Sequence, residues 1–307
     1  MNARRKRSSG LPINPSALLE AVGLTTEQST ERQRLAVFVD TSLDAELLSF
    51  AKQALRPLTD NLIVEVTPYS DEPVPVADDS MLALILAAEA AATGRLLVRA
   101  LKAQVPAVVA TLDVAQLRRV AREHFDEIDP LCVVTASACG DGQTECFERL
   151  FAELGAWIVR SLPEGQLALA RSLPFVRTPF VKAAIQTTSL QNAAIASLFL
   201  IPGADMPLLT LNQARLCLKI AAAYGVPLDR GRLYELALLI LSAFGLRMLA
   251  RRLAGLVPVV GWAIRGGVGY TGTLAMGLAA QEYFERGGDL EGFLRKLRSG
   301  AKAGAPR

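Results

Sequence analysis

Residues 35–160 alternate between short runs of continuous apolar residues and amphipathic stretches. The apolar runs predict buried strands over residues 35–39, 62–66, 81–86, 105–111 and 131–135. The amphipathic stretches predict helices over residues 41–55, 88–103, 113–128 and 143–159. Apolar strands separated by helices are typical of a mostly parallel sheet with both faces covered. Residues 34–160 are therefore predicted to form an α/β domain.

The second half of the chain has a different pattern. Its apolar runs are longer, richer in Ala and Leu, and broken by Pro and Gly. They predict helices over residues 179–201, 210–224, 232–253, 259–286 and 290–298. Residues 161–288 are therefore predicted to form an all-α apolar domain. A short amphipathic helix and basic tail, residues 289–307, follow it, and a basic flexible segment, residues 1–33, precedes the α/β domain.

Capping patterns mark several of these helix ends. Thr41 with Asp44 three residues on predicts the N-cap of the helix over 41–55, and Thr210 with Gln213 predicts a capping box for the helix over 210–224. Glycine ends helices because it adopts the left-handed conformation that follows a helix C-terminus. The glycines expected in this role are Gly225 and Gly287.

The composition excludes disorder and restricts metal chemistry. Hydrophobic residues make up 51% of the 307 residues and the mean hydropathy is +0.30, which is too apolar for a disordered chain and keeps a membrane open as a partner. The single histidine, His124, cannot form a His-rich metal site, and the four cysteines contain no CxxC pair. We expect reduced cytosolic thiols, no metal and no cofactor.

No apolar run in the sequence clearly spans a bilayer. A spanning helix needs about 20 apolar residues. Residues 183–204 are uncharged but include several polar side chains, and Arg265 separates residues 253–264 from residues 266–281. Runs of this kind suit buried core helices, or hairpins and interfacial helices that enter one leaflet.

Positive charge is concentrated in three clusters, although the net charge is only +3. The clusters are residues 4–7, the arginines Arg247, Arg251 and Arg252, and the basic residues within 295–302. Basic clusters beside apolar segments are attracted to anionic lipid, at about 1 kcal/mol per Lys or Arg near the surface. A solubilising tail is the alternative interpretation. Nucleic acid is not expected as a partner, because aromatic residues are only 6% of the chain.

The turn after the first strand is unsuited to phosphate. A nucleotide-binding α/β domain needs a Gly-rich loop there, whose backbone N–H groups face the phosphates, together with a lysine. Residues 40–46 instead read Asp-Thr-Ser-Leu-Asp-Ala-Glu, with no glycine, no lysine and three carboxylates. Because these carboxylates would repel a triphosphate, we predict no phosphate binding at this turn and assign no catalytic residue.

The end of the α/β half nevertheless resembles the Era-like small GTPases. The matching segments are residues 105–113, a helix, and residues 131–142, which hold a Ser-Ala pair before a Gly-rich turn. In that family an Asn-Lys-x-Asp turn and the Ser-Ala pair read the guanine ring. Here Ala110 and Thr111 stand where the family has Asn and Lys. The resemblance implies a GTPase-like topology more than an activity.

The residues that this resemblance makes candidates for contact with a nucleotide base are Asp113, Ser137 and Ala138. Asp113 has a second interpretation, because Gln116 follows it three residues on in a capping pattern that needs no ligand. Ser137 and Ala138 also suit a strand-to-helix turn as small residues.

Part of the helical half is similar to the YcjF-like bacterial family, over about residues 170–290. The family pattern is a Pro-containing turn with an aspartate, a following helix with a glutamine and a Tyr-Gly end, and a Gly-rich apolar helix that ends in Tyr-Phe-x-x-Gly. The matching residues of the first two features are Pro202, Gly203, Asp205, Gln213, Tyr224 and Gly225. In this family the helical domain often follows a GTPase domain and is often membrane-associated, so the resemblance implies location and partnership.

Gly269, Thr273 and Gly277 are spaced by four and lie along one face of the predicted helix over 259–286. Small residues in this pattern let another helix approach closely, in a membrane or in a tight bundle. Residues 267–272 also spell GxGxxG, but no strand precedes them, so a dinucleotide site is not predicted.

Together these patterns predict a non-enzymatic, membrane-associated adaptor or regulatory protein whose nucleotide-fold domain lacks the phosphate-binding loop. We expect it at the cytoplasmic side of the cell membrane, peripheral or inserted as a hairpin. Anionic lipid is one expected partner, and a protein, either a GTPase or a second copy of the chain, is the other. An atypical GTP-binding protein, in which Asp40 and Asp44 would need a divalent metal, is the first alternative. A soluble helical-bundle interaction protein is the second.

Overall fold

The structure, a computed structural model, describes residues 15–72, 74–120, 130–136, 142–162, 164–198, 206–227 and 261–287. The chain divides into two compact units. One unit is Gln28–Phe180, and the other joins Met1–Glu27 to Val181–Arg307. The domain bounds of the sequence analysis, with a division near residue 160, stay predictions.

A five-stranded parallel sheet lies in the unit Gln28–Phe180. Its strands are β1 (Gln33–Asp40), β2 (Leu62–Tyr69), β3 (Leu82–Leu86), β4 (Ala107–Thr111) and β5 (Val133–Thr135). The strand order is β2-β1-β3-β4-β5, and every neighbouring pair runs parallel. The predicted α/β class and parallel sheet are confirmed.

The described helices lie before the first strand, between the strands and after the last strand. They are α1 (Pro15–Thr30), α2 (Ala45–Ala54), α3 (Thr93–Lys102), α4 (Val114–Val120), α5 (Gln143–Ser161), α6 (Gln166–Ser172), α7 (Pro174–Leu198), α8 (Met206–Ala223) and α9 (Gly261–Glu285). A short 3-10 turn, Pro130–Cys132, leads into β5. No helix within the described ranges combines the length and apolar character that crossing a bilayer requires.

Burial explains why the strands read as continuous apolar runs. All residues of β3 and of β4 are buried, and strands buried on both faces have no polar alternation. Leu96 and Leu97 of α3 and Leu117 of α4 join the core on one face of the sheet. Helix α5 packs against β4 and β5, and its rings Phe147 and Phe151 contact Phe50 of α2.

The strand register aligns the carboxyl ends of the strands at one edge. Val39 pairs with Leu86, Leu86 with Ala110, and Asp40 with Tyr69. From β1 the chain continues to β2 on one side of it and later returns to β3 on the other side. The gap between β1 and β3 is therefore a topological switch point, the place where open α/β sheets bind ligands.

Helix α1 corrects the expectation of a flexible segment over residues 1–33, because residues 15–30 are helical. Its buried residues, Ala21, Thr25 and Ser29, are spaced by four and lie on one face. Two of the three are polar, so no apolar periodicity marks the helix. The Thr25 hydroxyl donates to the Ala21 carbonyl at 2.7 Å, which lets this polar residue be buried.

The predicted start of α2 is wrong by one turn. The helix begins at Ala45, and Asp44 rather than Thr41 is its N-cap. The Asp44 carboxylate accepts from the backbone nitrogens of Glu46 and Leu47, at 2.7 and 3.3 Å. A carboxylate is both a good cap and a favourable charge at a helix N-terminus.

The predicted start of α8 is also wrong. This helix begins at Met206, so Thr210 lies inside it, buried, and does not form a capping box with Gln213. The predicted end is confirmed, because Gly225 follows the helix with φ +74°. The Val226 nitrogen donates to the Ala221 carbonyl at 3.0 Å, as in a Schellman motif.

Two further helix ends bear on the predictions. Gly287, with φ +78°, follows α9 and donates to the carbonyl of Phe284, as expected of a glycine at a helix end. Helix α7 begins at Pro174, earlier than the predicted residue 179, because proline suits the first turn of a helix. The predicted helices over 232–253 and 290–298 lie outside the described residues, as does the end of the predicted helix over 113–128.

Candidate functional site

The buried carboxylate of Asp40 is the centre of the carboxyl edge of the sheet. Its Oδ1 atom accepts hydrogen bonds from the backbone nitrogen and the hydroxyl of Ser42, at 2.8 and 2.6 Å. Its Oδ2 atom accepts from three successive backbone nitrogens, those of Ala88, Glu89 and Ala90, each at 2.8 Å. At the switch point, one carboxylate therefore joins the turn after β1 to the loop after β3.

The sheet register produces this arrangement. Asp40 is the last residue of β1, and Ala88 lies just after β3, the neighbouring strand. Residues 88–90 turn their N–H groups toward Asp40 and lie in the loop after β3. Helix α3 begins at Thr93, not at residue 88 as the sequence pattern predicts.

The surroundings hold Asp40 in its charged form. Burial opposes the charge, but the hydrogen bonds from the Ser42 side chain and from the backbones of Ser42, Ala88 and Ala90 outweigh it and lower the pKa of Asp40 below its ordinary value. Among the described residues no salt bridge includes Asp40. Its charge is stabilised by N–H and O–H dipoles.

A pair of buried hydroxyls lies on the β2 side of Asp40. Tyr69, the register partner of Asp40, has its hydroxyl 2.9 Å from that of Thr93 at the start of α3. Burial raises the pKa of Tyr69 far above its ordinary value, the hydrogen bond with Thr93 opposes this, and the charge of Asp40 adds to it. Tyr69 is therefore neutral at physiological pH and cannot act as a base.

The β4 side of the edge carries the candidate base contact Asp113. Its Oδ1 atom accepts from the backbone nitrogen of Gln116 at 2.8 Å, at the start of α4. Asp113 thus caps a helix, as its second interpretation predicts. The Gln116 amide also donates to Glu89 Oε1 at 3.2 Å, which links the first turn of α4 to the loop after β3. Ser137 and Ala138 lie outside the described residues.

The geometry of this edge opposes the binding of a phosphate. The backbone donors that would face it already bind Asp40, and Asp44 and Glu89 add exposed carboxylates nearby in the sequence. In the part of the chain that the structure describes, no three His, Cys, Asp or Glu residues are grouped as metal ligands.

A second polar cluster lies between helices of the other unit. Thr273 of α9 accepts hydrogen bonds from Asn192 of α7 at 2.9 Å and from Gln213 of α8 at 3.2 Å. It donates to the carbonyl of Gly269 at 2.8 Å. Asn212 in turn donates to Asn192 Oδ1 at 3.0 Å. Each of Asn192, Gln213 and Thr273 is buried, so this cluster links three helices through satisfied polar groups.

The face formed by Gly269, Thr273 and Gly277 meets helix α7. A Cβ atom at Gly269 would lie 2.8 Å from the carbonyl oxygen of Asn192, and one at Gly277 would lie 2.8 Å from Cγ1 of Ile185. Real side chains do not approach so closely, so only glycine fits at both positions. The glycines of the GxGxxG pattern lie within helix α9 and not in a turn after a strand.

The residues that match the YcjF-like pattern do not form one site among the described residues. Pro202, Gly203 and Asp205 lie outside the described residues. Gln213 belongs to the polar cluster, and Tyr224 and Gly225 form the end of α8. Sequence reasoning missed Asn192 and Asn212 because polar residues within an apolar helix carry no signal of which face they occupy.

The cysteines differ among themselves. Cys132 and Cys217 are free thiols, whereas Cys146 is disulfide-bonded, so the expectation that every cysteine is reduced is wrong at Cys146. Complete burial raises the pKa of Cys217 to about 12, which keeps it a neutral, unreactive thiol.

Comparison with known protein families, curated proteins and solved structures finds no match for this chain. The resemblances to the Era-like and YcjF-like families stay predictions.

Proposed function

We propose that the protein is a non-enzymatic adaptor or regulatory protein whose α/β unit keeps the outline of a nucleotide fold but has lost phosphate binding. The observation that carries this proposal is the carboxylate of Asp40, which accepts the N–H groups of Ala88, Glu89 and Ala90. In a nucleotide site such donors face phosphate oxygens. Here they face a fixed negative charge of the protein.

Electrostatics strengthens this argument. Two unit charges 4 Å apart repel by about 4 kcal/mol at the effective dielectric constant of a protein surface. A triphosphate placed at the switch point would meet the charge of Asp40 directly, with no described cation paired to it. The α/β unit is therefore suited to recognition through its surface rather than to phosphate chemistry.

The neighbouring strands β4 and β5 support the finer part of the proposal, a GTPase-like topology. In the family that the sequence resembles, the turns after two strands read one guanine ring, so those strands must be neighbours. Here β4 and β5 are parallel neighbours, and Asp113 and the pair Ser137-Ala138 follow them in the sequence. The bond from Gln116 uses Asp113 as a helix cap, which fits a base site that no longer serves a nucleotide.

Association with a membrane surface that carries anionic lipid is the second part of the proposal. Helix α8 and residues 181–198 of α7 contain no Asp or Glu but carry exposed cations, Lys182, Arg215 and Lys219. They also carry exposed leucines: Leu190 and Leu198 are 62% and 78% exposed, and Leu208 is 46% exposed. Cationic and apolar side chains without carboxylates suit a peripheral contact with anionic lipid.

Co-sedimentation with lipid vesicles tests the membrane part. We expect the full chain to sediment with vesicles that contain phosphatidylserine and to stay in solution with phosphatidylcholine alone. Leu198→Glu should weaken sedimentation, whereas Leu131→Glu, at a leucine 75% exposed in the α/β unit, is the matched control. Failure of the parent protein to sediment contradicts membrane association and favours a soluble interaction protein. Equal sedimentation of the two variants contradicts the role given to Leu198.

Nucleotide content tests the adaptor part against the alternative of an atypical GTP-binding protein. Protein purified with magnesium present is denatured, and the released nucleotides are measured by anion-exchange chromatography. We expect no guanine nucleotide above the background of a control protein. A guanine nucleotide in a ratio near one per chain would favour the alternative.

A further inference from the structure

Three successive backbone N–H groups converge on one oxygen atom at the switch point. The nitrogens of Ala88, Glu89 and Ala90 each lie 2.8 Å from Asp40 Oδ2, and the nitrogen of Glu89 also donates to the Ser42 hydroxyl at 3.2 Å. Successive N–H groups that point into one concavity are the usual form of a backbone anion site. These residues precede α3, which begins at Thr93, so the donors belong to the loop.

The group that occupies this concavity is held as an anion. Asp40 is only 1% exposed, yet its carboxylate receives five hydrogen bonds in all and, among the described residues, no ion pair. An ionised carboxylate without a cation is stable in such a place only where donors are arranged around a negative charge. The arrangement therefore stabilises an oxyanion, which here is the carboxylate of Asp40.

We propose that the loop Ala88–Ala90 is an oxyanion-binding site that the protein's own Asp40 occupies in place of an external ligand. The ligand class is a small oxyanion, either a tetrahedral phosphate or a carboxylate. Removal of the Asp40 side chain takes away the acceptor that the three N–H groups share and opens the site. Among the described residues, the N–H group of Glu89 alone keeps a second acceptor, the Ser42 hydroxyl. This inference does not depend on the proposed function. A parent protein that binds no nucleotide leaves open whether the N–H groups of residues 88–90 bind a small anion once Asp40 is removed.

Removing the carboxylate is the direct test. In Asp40→Ala we expect inorganic phosphate or acetate to raise the thermal midpoint by about 5 °C at a concentration 100 times its Kd, because an anion that binds only the folded state stabilises it. Asp40→Asn keeps an oxygen acceptor in the concavity and should show no such rise. Phosphate and acetate titrated separately identify which geometry the loop prefers.

Asp44→Ala is the matched control. It removes an equal charge four residues away, where Asp44 caps α2 and does not touch the loop. We expect no anion-dependent rise in this variant. A folded Asp40→Ala protein that neither phosphate nor acetate stabilises, or an equal rise in Asp44→Ala, overturns the proposal.

The parent protein provides a test that does not depend on folding of the variants. In NMR spectra recorded from neutral to acid pH, the amide protons of Ala88, Glu89 and Ala90 should shift together as Asp40 is protonated, with one common midpoint below the ordinary value of an aspartate. Three amides that shift with different midpoints, or that do not shift before unfolding, contradict a shared oxyanion site.

Discussion

Asp40 Oδ2 lies 2.8 Å from the backbone nitrogen of Ala90, which is 50 residues further along the chain. This bond joins the end of β1 to the loop after β3 at the switch point of the sheet. It places the charge of Asp40 at the switch point, where open α/β sheets bind their ligands.

Asp40→Asn should destabilise the protein at neutral pH. An amide cannot accept all the hydrogen bonds of the carboxylate, and bonds to charged groups contribute about 1.5–3 kcal/mol each to net stability. We expect the free energy of unfolding to fall by about 3 kcal/mol, measured by urea denaturation at pH 7. A variant as stable as the parent would show that these bonds do not support the fold.

The same substitution should change the response to acid. Because the folded protein lowers the pKa of Asp40, the stabilisation from its charge is complete above the unfolded value of 3.8 and is lost as the pH falls through the lower folded value. The difference in unfolding free energy between the parent and Asp40→Asn should therefore shrink below about pH 4. A difference that stays constant from pH 7 to pH 3 is the contrary result.

Asp44 and Thr41 offer a direct comparison of two candidate helix caps. Asp44→Ala removes the carboxylate that accepts from Glu46 and Leu47, and should cost about 1 kcal/mol. Thr41→Ala should change stability by less than about 0.5 kcal/mol, since Thr41 is exposed and is not the cap. Chemical denaturation of both variants checks this, and the reverse order of effects would restore Thr41 as the cap.

Two glycines of α9 should respond to alanine in opposite directions. At Gly269 a methyl group meets the Asn192 carbonyl, so we expect Gly269→Ala to destabilise the protein by about 1–3 kcal/mol. At Gly267 nothing lies within 4 Å, and alanine should stabilise the helix by about 0.5–1 kcal/mol. Thermal unfolding of both variants is the measurement. A neutral Gly269→Ala would mean that α7 and α9 are not in close contact.

Two threonines of the same helix test the polar cluster. Thr273→Val removes the hydroxyl that accepts from the amides of Asn192 and Gln213, and should cost about 2–4 kcal/mol. Thr271→Val, at an exposed threonine that bonds only within its own helix, should cost less than about 0.5 kcal/mol. If urea denaturation gives similar losses for the two, the cluster does not hold the three helices together.

The strands of the sheet could be predicted because their burial leaves a direct mark on the sequence. The residues of β3 and β4 are buried throughout, and all of them except Thr111 are apolar. Gly225 and Gly287 could likewise be assigned to helix ends, since their positive φ angles are a local requirement. These features depend on each residue and its near neighbours.

The features that sequence reasoning missed depend on distant partners. Residues 88–92 are good helix formers, yet they precede α3, and three of them donate to Asp40, 48–50 residues earlier in the chain. Gln213 fits a capping box in the sequence, yet its side chain is buried and donates to Thr273, 60 residues away. At the candidate site the sequence predicted that the carboxylates of residues 40–46 repel phosphate, but not that the carboxylate of Asp40 accepts three successive backbone N–H groups.

The most direct test of the account is isothermal titration of the intact, unmodified protein with GTP and with GDP in the presence of magnesium. The account predicts no measurable heat of binding up to about 1 mM nucleotide, which corresponds to a binding free energy weaker than about −4 kcal/mol. Saturable binding of either nucleotide with a micromolar Kd and one site per chain would contradict it, because the donors at Ala88–Ala90 would then have to serve a phosphate while Asp40 stands among them.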